Sequence, residues 1–137
     1  MAATNAHEIR LPHLTPRHDP YRLALGYRVG DLVYTSGQLG LDETGAIAED
    51  YDGQVGNAFA NLERILTAAG SGLDKVIRTT VYQTDIANLH RFVELRGMYL
   101  KAPYPASTQV AITKLGHPDA LIEIDAIALV EGKMIAP

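Results

Sequence analysis

The stretch that decides the fold of this 137-residue chain is Leu121-Ile122-Glu123-Ile124-Asp125-Ala126-Ile127-Ala128-Leu129-Val130. Successive side chains of a β-strand point to opposite faces of a sheet, so this run has two different surfaces. One surface is wholly apolar and predicts a layer of helices packed against it: Ile122, Ile124, Ala126, Ala128 and Val130. The other surface carries two carboxylates among apolar groups: Leu121, Glu123, Asp125, Ile127 and Leu129. This second surface is either half-solvated or, because most of its residues are apolar, covered by another subunit.

Two other segments have helical periodicity. From Gln54 onwards, apolar residues recur every three or four positions, and Gly70-Ser71-Gly72 provides a C-terminal stop. The members of this stripe are Val55, Ala58, Phe59, Leu62, Ile65, Leu66 and Ala69. A second helix is predicted over Ile86–Leu100, and prolines at 103 and 105 end it. Its buried side is predicted to contain Leu89, Phe92, Val93 and Leu100.

The remaining strand signals complete one layer of sheet. Val76–Thr84 is rich in β-branched residues and is the best internal strand, whereas Leu32–Ser36 and Ser107–Ile112 are shorter candidates. Residues 41–52 are predicted to form a loop or hairpin tip. Prolines at 12, 16 and 20 predict an irregular or edge segment over residues 1–18. Strands separated by two helices indicate an α+β fold, a single sheet with two helices on one face, in one domain of residues 1–137.

Composition restricts the function classes. The formal net charge is −4, which argues against nucleic-acid binding because phosphate recognition needs a basic surface. Cysteine is absent, so the chain has neither a disulfide framework nor thiolate chemistry. The N-terminal residues lack the apolar core of a signal peptide, and no stretch is apolar enough to span a membrane. A cytoplasmic protein without membrane partners is the resulting expectation.

Metal and nucleotide chemistry have no local support in the sequence. The histidines at positions 7, 13, 18, 90 and 117 form no HExxH motif or helical pair, and are predicted to be surface residues. Neither GxGxxG nor GxxxxGK[ST] occurs, so neither a cofactor nor a metal is predicted. No GxSxG elbow surrounds any serine, which disfavours a serine hydrolase.

Glu123 and Asp125 are the strongest candidates for chemistry. Both lie on one face of a strand, and burial and like charge each raise a carboxyl pKa, which suits a general base. A structural pair satisfied by Arg or Lys at an interface explains the same pattern. Arg78 on the earlier strand, and Lys114 and His117 in the loop before the last strand, are possible anion ligands or solvated charges.

Several segments together resemble the RidA (YjgF) family. Asp19-Pro20-Tyr21 resembles its Gly-Pro-Tyr segment, and the run from Leu32 to Gln38 resembles its strand ending in Ser-Gly-Gln. Asn61–Ser71 resembles its first helix and stop, and Val81–Asp85 the approach to its second helix. Glu123-Ile124-Asp125-Ala126-Ile127-Ala128 resembles its closing Glu-Ile-Glu-Ala-Ile-Ala strand. The order and spacing extend from about Pro20 to Val130.

The resemblance implies a chorismate-mutase-like fold and a homotrimer, with the sheets forming a barrel and three clefts between subunits. Deaminases of this family hydrolyse reactive enamines and imines without a metal or cofactor. Glu123 matches the family glutamate that positions or activates water. Tyr21, Ser36 and Gly37 match residues of the small-molecule cleft.

One departure from the family pattern bears on the substrate. The family has Pro-Ala-Arg-Ser where this chain has Pro105-Ala106-Ser107-Thr108, so Ser107 replaces the arginine that binds the substrate carboxylate. A serine hydroxyl donates one hydrogen bond and brings no charge. Either Arg78, Lys114 or His117 takes over, or the substrate lacks that carboxylate. The leading hypothesis is hydrolytic deamination of an imine or enamine other than a standard 2-imino acid. Its alternatives are a non-catalytic trimer that binds a small metabolite and, less favoured by the acidic charge, a ribonuclease.

Overall fold

The computed structural model describes residues 2–137. Its strands are β1 (Ala6–Glu8), β2 (Gly26–Val29), β3 (Leu32–Thr35), β4 (Gln38–Leu39), β5 (Val76–Gln83), β6 (Ala106–Ala111) and β7 (Ile122–Leu129). Its helices are α1 (Thr15–His18), α2 (Tyr51–Ala68) and α3 (Leu89–Tyr99). Short 3₁₀ turns cover Asp19–Tyr21, Leu73–Lys75 and Ile86–Asn88.

The strands form one mixed sheet in the order β1-β2-β3-β7-β5-β6, and β4 also pairs with β7. β5 and β6 are parallel, and α3 lies in the crossover that a parallel pair requires. β7 is central, since it pairs antiparallel with β3, β4 and β5. The stretch that decided the fold from sequence is therefore the strand with the most neighbours. Because the register pairs Glu123 with Leu39 on one side and Tyr82 on the other, the backbone of Glu123 is fixed within the sheet.

The two surfaces of β7 differ in burial, as predicted. Along the strand, residues 122, 124, 126 and 128 are buried and the intervening residues are half-buried. The buried set packs in one core with the apolar stripe of α2. The ring of Phe59 stacks on Tyr99 of α3 with centroids 4.7 Å apart, and on Phe92 with centroids 6.3 Å apart. The predicted single sheet with helices packed on one face is confirmed.

Among residues 2–137, α2 and α3 pack on the buried side of the sheet, and the opposite face is half-buried along β7. Tyr27, Tyr34 and Ile127 lie opposite one another across β2, β3 and β7, so they share this face with Glu123 and Asp125. Tyr27 and Tyr34 are 41% and 45% exposed. This face is the surface that the sequence marked as half-solvated or covered by another subunit.

Helix α2 begins at Tyr51, four residues before Val55, the first member of its apolar stripe. The side chain of Asp50 accepts a hydrogen bond from the backbone N–H of Gly53 at 3.1 Å and caps the first turn. Gly70 ends the helix with a φ of +83°, and the N–H of Ser71 returns to the carbonyl of Leu66 at 2.8 Å. The predicted glycine stop is therefore confirmed, and the acidic cap explains the earlier start.

Two details of the sequence interpretation are corrected. Residues 1–18 contain the edge strand β1, but also the helical turn α1, in which Pro16 occupies a first-turn position that tolerates a missing N–H. Leu14 at its N-cap is buried in the core. In α3, Val93 is 50% exposed, and Leu95 is buried beside Phe92 instead. The 3₁₀ turn at Ile86–Asn88 precedes α3, whose buried face contains Phe92 and Leu95.

Candidate functional site

A cavity of about 220 Å³ lies where β4, α1 and the loop before β7 meet. Its lining includes four residues singled out from the sequence: Tyr21, Gly37, His117 and Glu123. These residues lie far apart along the chain, and the pairing of β4 with β7 brings two of them side by side. A larger depression of about 520 Å³ between residues 11–14 and α2 contains none of the predicted site residues.

Glu123 is the carboxylate among the lining residues of the cavity. Burial raises the pKa of its carboxyl, and the neighbouring charge of Asp125 raises the same pKa further. Burial also raises the pKa of Asp125, although a hydrogen bond from Thr80 and the charge of Arg78 oppose that rise. Glu123 therefore has fewer compensating partners than Asp125. A carboxyl whose pKa is moved toward neutrality can both accept and return a proton near physiological pH.

Gly37 leaves the space that the Glu123 carboxylate occupies. A Cβ added at position 37 would lie 2.2 Å from Oε1 and 2.8 Å from Cδ of Glu123. The Ser-Gly-Gln segment therefore needs a glycine here because of the carboxylate above it. The sequence marked Gly37 only through the family resemblance, and this contact supplies a physical reason.

We expect Gly37→Ala to displace the Glu123 carboxylate and to lower turnover by at least ~10-fold, because an error of about 1 Å in a catalytic group costs roughly 100-fold. The side chain of Glu123 can move, so the free energy of unfolding should change by less than about 1.5 kcal/mol. Steady-state rates and urea unfolding of the same preparation measure both quantities. Gly97→Ala is the control, since a Cβ there meets nothing within 4 Å. Full activity in Gly37→Ala would contradict a role for the position of this carboxylate.

Tyr21 and Ser36 contribute to the cavity in different ways. Tyr21 ends the 3₁₀ turn after α1 and is 76% exposed, so its ring lies at the rim. The hydroxyl of Ser36 donates to the carbonyl of Ala24 at 2.6 Å, and its N–H donates to the carbonyl of Leu25 at 2.8 Å. Ser36 thereby holds the segment that follows β3 and is not among the lining residues. The hydroxyl hydrogen of Ser36 therefore takes part in a hydrogen bond within the protein.

Arg78, Ser107 and Lys114 lie outside the cavity of the single chain. Arg78 donates to the hydroxyl of Thr108 at 2.7 Å on the open face of the sheet. Ser107 lies opposite the buried Thr79 and accepts a hydrogen bond from its hydroxyl at 2.9 Å. Because Thr79 faces the helices, Ser107 points to the other side of the sheet from Glu123. The exposed Lys114 lies in the loop before β7.

Four polar lining residues were not selected from the sequence: Arg17, His18, Gln38 and Asn61. Arg17 donates from Nη1 to the carbonyl of Asp42 at 2.8 Å and from Nη2 to the carbonyl of Glu43. Asn61 is buried and donates to the carbonyl of Leu41 at 3.0 Å. The only sequence signal for His18 was its place next to the Asp-Pro-Tyr segment. The histidines were predicted to be surface residues, and two of them, His18 and His117, are half-buried where they line this cavity.

Within residues 2–137, no group of three or more His, Cys, Asp or Glu side chains is arranged to hold a metal ion. Across the same residues, no helix combines the length and the apolar character needed to cross a membrane.

The fold and the site together describe a small α+β protein with one mixed sheet and a half-buried glutamate on its central strand. Residues 16–130 match the family model described as Endoribonuclease L-PSP. The chain is 35% identical over 108 residues to the 2-iminobutanoate/2-iminopropanoate deaminase of Salmonella typhimurium, covering 76% of this chain and 84% of that protein. It is 36% identical over 115 residues to the RutC family protein YjgH of Escherichia coli, covering 80% and 88%.

Solved structures agree with these sequence matches. RidA from an Antarctic Psychrobacter superposes with a TM-score of 0.76 at 32% identity, covering 78% of this chain and 87% of that one. The structural-genomics structure of protein YJGH superposes with a TM-score of 0.80 at 30% identity, covering 96% and 100%. The chain belongs to the RidA (YjgF) family, as its segments indicated.

Proposed function

We propose that this protein hydrolyses a reactive imine or enamine to a carbonyl compound and ammonia, with Glu123 as the acid–base group. The observation that carries the proposal is the half-buried Glu123 carboxylate, with its raised pKa, in a cavity that leucine side chains line together with polar groups. The family supports the same reaction class, because one relative is named as a deaminase of 2-iminobutanoate and 2-iminopropanoate. Neither a metal nor a cofactor is part of the proposed reaction.

The chemistry needs one water molecule and one group that moves a proton. Glu123 takes a proton from water while the water oxygen bonds to the C=N carbon and the electron pair of the π bond moves to nitrogen. Glu123 then returns the proton to nitrogen, which gives a carbinolamine. In a second transfer Glu123 takes the proton of the carbinolamine hydroxyl and passes it to the nitrogen, the C–N bond breaks, and ammonia leaves as the carbonyl forms. An enamine first tautomerises to the imine and then follows the same course. A carboxyl with a raised pKa is suited to both proton transfers.

The proposed substrate is not a standard 2-imino acid, because Ser107 stands where the family resemblance places an arginine. A bidentate guanidinium–carboxylate contact is charge-assisted, and a serine hydroxyl offers one neutral hydrogen bond in its place. The cleft is proposed to lie between subunits of a homotrimer. The open face of the sheet, with Tyr27, Tyr34 and Ile127, would then line the interior. In that assembly Arg78, Ser107 or Lys114 of a neighbouring subunit could approach the cavity.

Ammonia release from imines generated in situ tests this proposal. Amino-acid oxidases supply 2-imino acids with small, bulky and acidic side chains, and an amine oxidase supplies imines without a carboxylate. We expect wild type to accelerate release from carboxylate-free imines by at least ~10-fold more than from 2-iminopropanoate, since losing a charge-assisted hydrogen bond costs about one to two decades. Ser107→Arg, assayed in parallel, should shift the preference toward 2-imino acids. No acceleration of any imine by either protein would contradict the proposal.

A non-catalytic trimer that binds a small metabolite is the second candidate. The specific observation in its favour is Ser107, because the chain lacks the anchor that the deaminases of the family use. This candidate requires saturable ligand binding in the cavity without ammonia release. Ribonuclease activity, despite the description of the family model, is opposed by the formal net charge of −4.

A further inference from the structure

Two histidines in the cavity have neutral tautomers that the fold determines. His117 is in the loop before β7, and its Nδ1 accepts a hydrogen bond from the backbone N–H of Asp119 at 3.1 Å. A backbone N–H can only donate, so Nδ1 of His117 must carry the lone pair. The proton of the neutral ring is therefore on Nε2, which makes Nε2–H a hydrogen-bond donor.

His18 has the opposite arrangement. It is the last residue of α1, and its Nδ1 lies 3.1 Å from the backbone carbonyl of Leu14, one turn earlier. A carbonyl can only accept, so Nδ1 of His18 carries the proton. Nε2 of the neutral ring is left with a lone pair and can only accept. Both histidines line the cavity that contains Glu123, and in the neutral rings Nε2 is a donor in His117 and an acceptor in His18.

The rest of the lining does not favour a carboxylate ligand. Arg17 is the guanidinium or ammonium group among the described lining residues, and both of its Nη atoms donate to the backbone carbonyls of Asp42 and Glu43. Its bidentate fork is therefore used within the protein. The other walls are mostly apolar, contributed by Leu14, Leu23, Leu39 and Leu41 together with the ring of Tyr21.

We propose that His117 and His18 recognise the reacting nitrogen of an uncharged imine whose apolar substituent lies against the leucine wall. An imine nitrogen in C=N–H has one lone pair and one N–H. The lone pair would accept from Nε2–H of His117, and the N–H would donate to Nε2 of His18. The pair replaces the missing carboxylate clamp with a contact at the reacting group itself. This inference rests on the proposed function for the identity of the ligand as an imine.

Asparagine and glutamine substitutions separate the two nitrogens of each ring. The amide of Asn reaches the position of Nδ1, and the amide of Gln reaches the position of Nε2. His117→Asn retains an acceptor for the N–H of Asp119 but loses the donor in the cavity, and His117→Gln does the reverse. His18→Asn likewise retains a donor to the carbonyl of Leu14 but loses the cavity acceptor, which His18→Gln retains. A purely structural role would favour the Asn variants, and the proposed role favours the Gln variants.

Binding of benzamide tests the inference without turnover. Its amide offers a carbonyl acceptor and an NH2 donor beside an apolar ring, and benzoate has the same ring with a charge. By titration calorimetry, we expect benzamide to saturate wild type and to bind more tightly than benzoate. The Gln variants should remain within about threefold of wild type, and each Asn variant should bind roughly tenfold more weakly, the effect of one lost hydrogen bond.

Three results would overturn the inference: no saturable binding of benzamide to wild type, tighter binding of benzoate, or Asn variants that bind like wild type while the Gln variants do not. Ammonia release, measured with the same proteins, separates this inference from the proposed function. If the expected binding pattern holds and no imine is hydrolysed, the deaminase proposal fails and the recognition by the histidines stands. If imines are hydrolysed and the Asn variants bind and react like wild type, the histidine inference fails alone.

Discussion

Glu123→Gln is expected to lower the rate of ammonia release at least ~100-fold, while Asp125→Asn lowers it by less than about tenfold. The amide of Gln is close in size to the carboxylate but cannot take a proton from water, and loss of a general base costs about 10² to 10⁴ in rate. Asp125 is the matched control because it lies two residues away on the same face of β7 and also has a raised pKa. Steady-state rates with the best imine of the panel are the measurement. Full activity in Glu123→Gln would remove Glu123 from the mechanism.

The stability of Glu123→Gln separates a chemical effect from a folding defect. The pKa of Glu123 is raised in the fold, so the protonated form is favoured there and stability falls as pH rises through that pKa. An amide does not ionise, so the variant should be at least as stable as wild type at pH 8. Below the pKa of an unfolded glutamate, about 4.3, this advantage should vanish. Urea midpoints at pH 8 and pH 4 measure the difference, and a variant less stable than wild type at pH 8 would contradict the sign.

The same raised pKa determines how the rate depends on pH. The proposed first step needs the ionised carboxylate, which is lost as pH falls through the pKa of Glu123. We therefore expect the wild-type rate to fall on the acid side at a higher pH than an ordinary glutamate would require, after correction for spontaneous hydrolysis of the imine.

Gln54→Met is expected to destabilise the fold by about 3 kcal/mol, because a buried donor or acceptor without a partner costs about 1–3 kcal/mol. Gln54 of α2 is 1% exposed. Its Oε1 accepts from the N–H of Leu121 at 2.8 Å, and its Nε2 donates to the carbonyls of Ala48 and Asp119 at 2.9 Å each. Methionine has nearly the same volume but satisfies none of these groups.

Glu63→Met is the matched control for this stability change. Glu63 is exposed on the same helix, so the same new side chain should change the unfolding free energy by less than about 0.5 kcal/mol. Urea denaturation of the two variants gives the comparison. Because Gln54 holds the loop that carries His117, benzamide binding should also weaken in Gln54→Met. Equal stability of the two variants would show that the buried hydrogen bonds of Gln54 contribute little.

The architecture of the fold was determined largely by local pattern. The alternation from Leu121 to Val130 has a period of two and a wholly apolar face, so it predicted both the central strand and the helices that cover it. The apolar stripe of α2 predicted that helix, and the glycine at position 70 predicted its end, again from local pattern. The pattern did not predict that Val93 would be exposed and Leu95 buried. Both residues are apolar, so periodicity alone does not determine which of two neighbouring helical faces packs against the core.

Some residues of the candidate site were selected from the sequence, and others were identified only from the tertiary structure. The sequence by itself selected Glu123, since a carboxylate on an otherwise apolar strand is visible as a pattern, and the family resemblance selected Tyr21 and Gly37. Tertiary structure alone showed that His18 lines the same cavity as Glu123, and that Ser107 points away from it within one chain. Burial and strand order determine which side chains meet, and neither can be read from residue spacing. The hydrogen bonds that determine the tautomers of His18 and His117 are made to backbone atoms, so residue types alone give no signal for them.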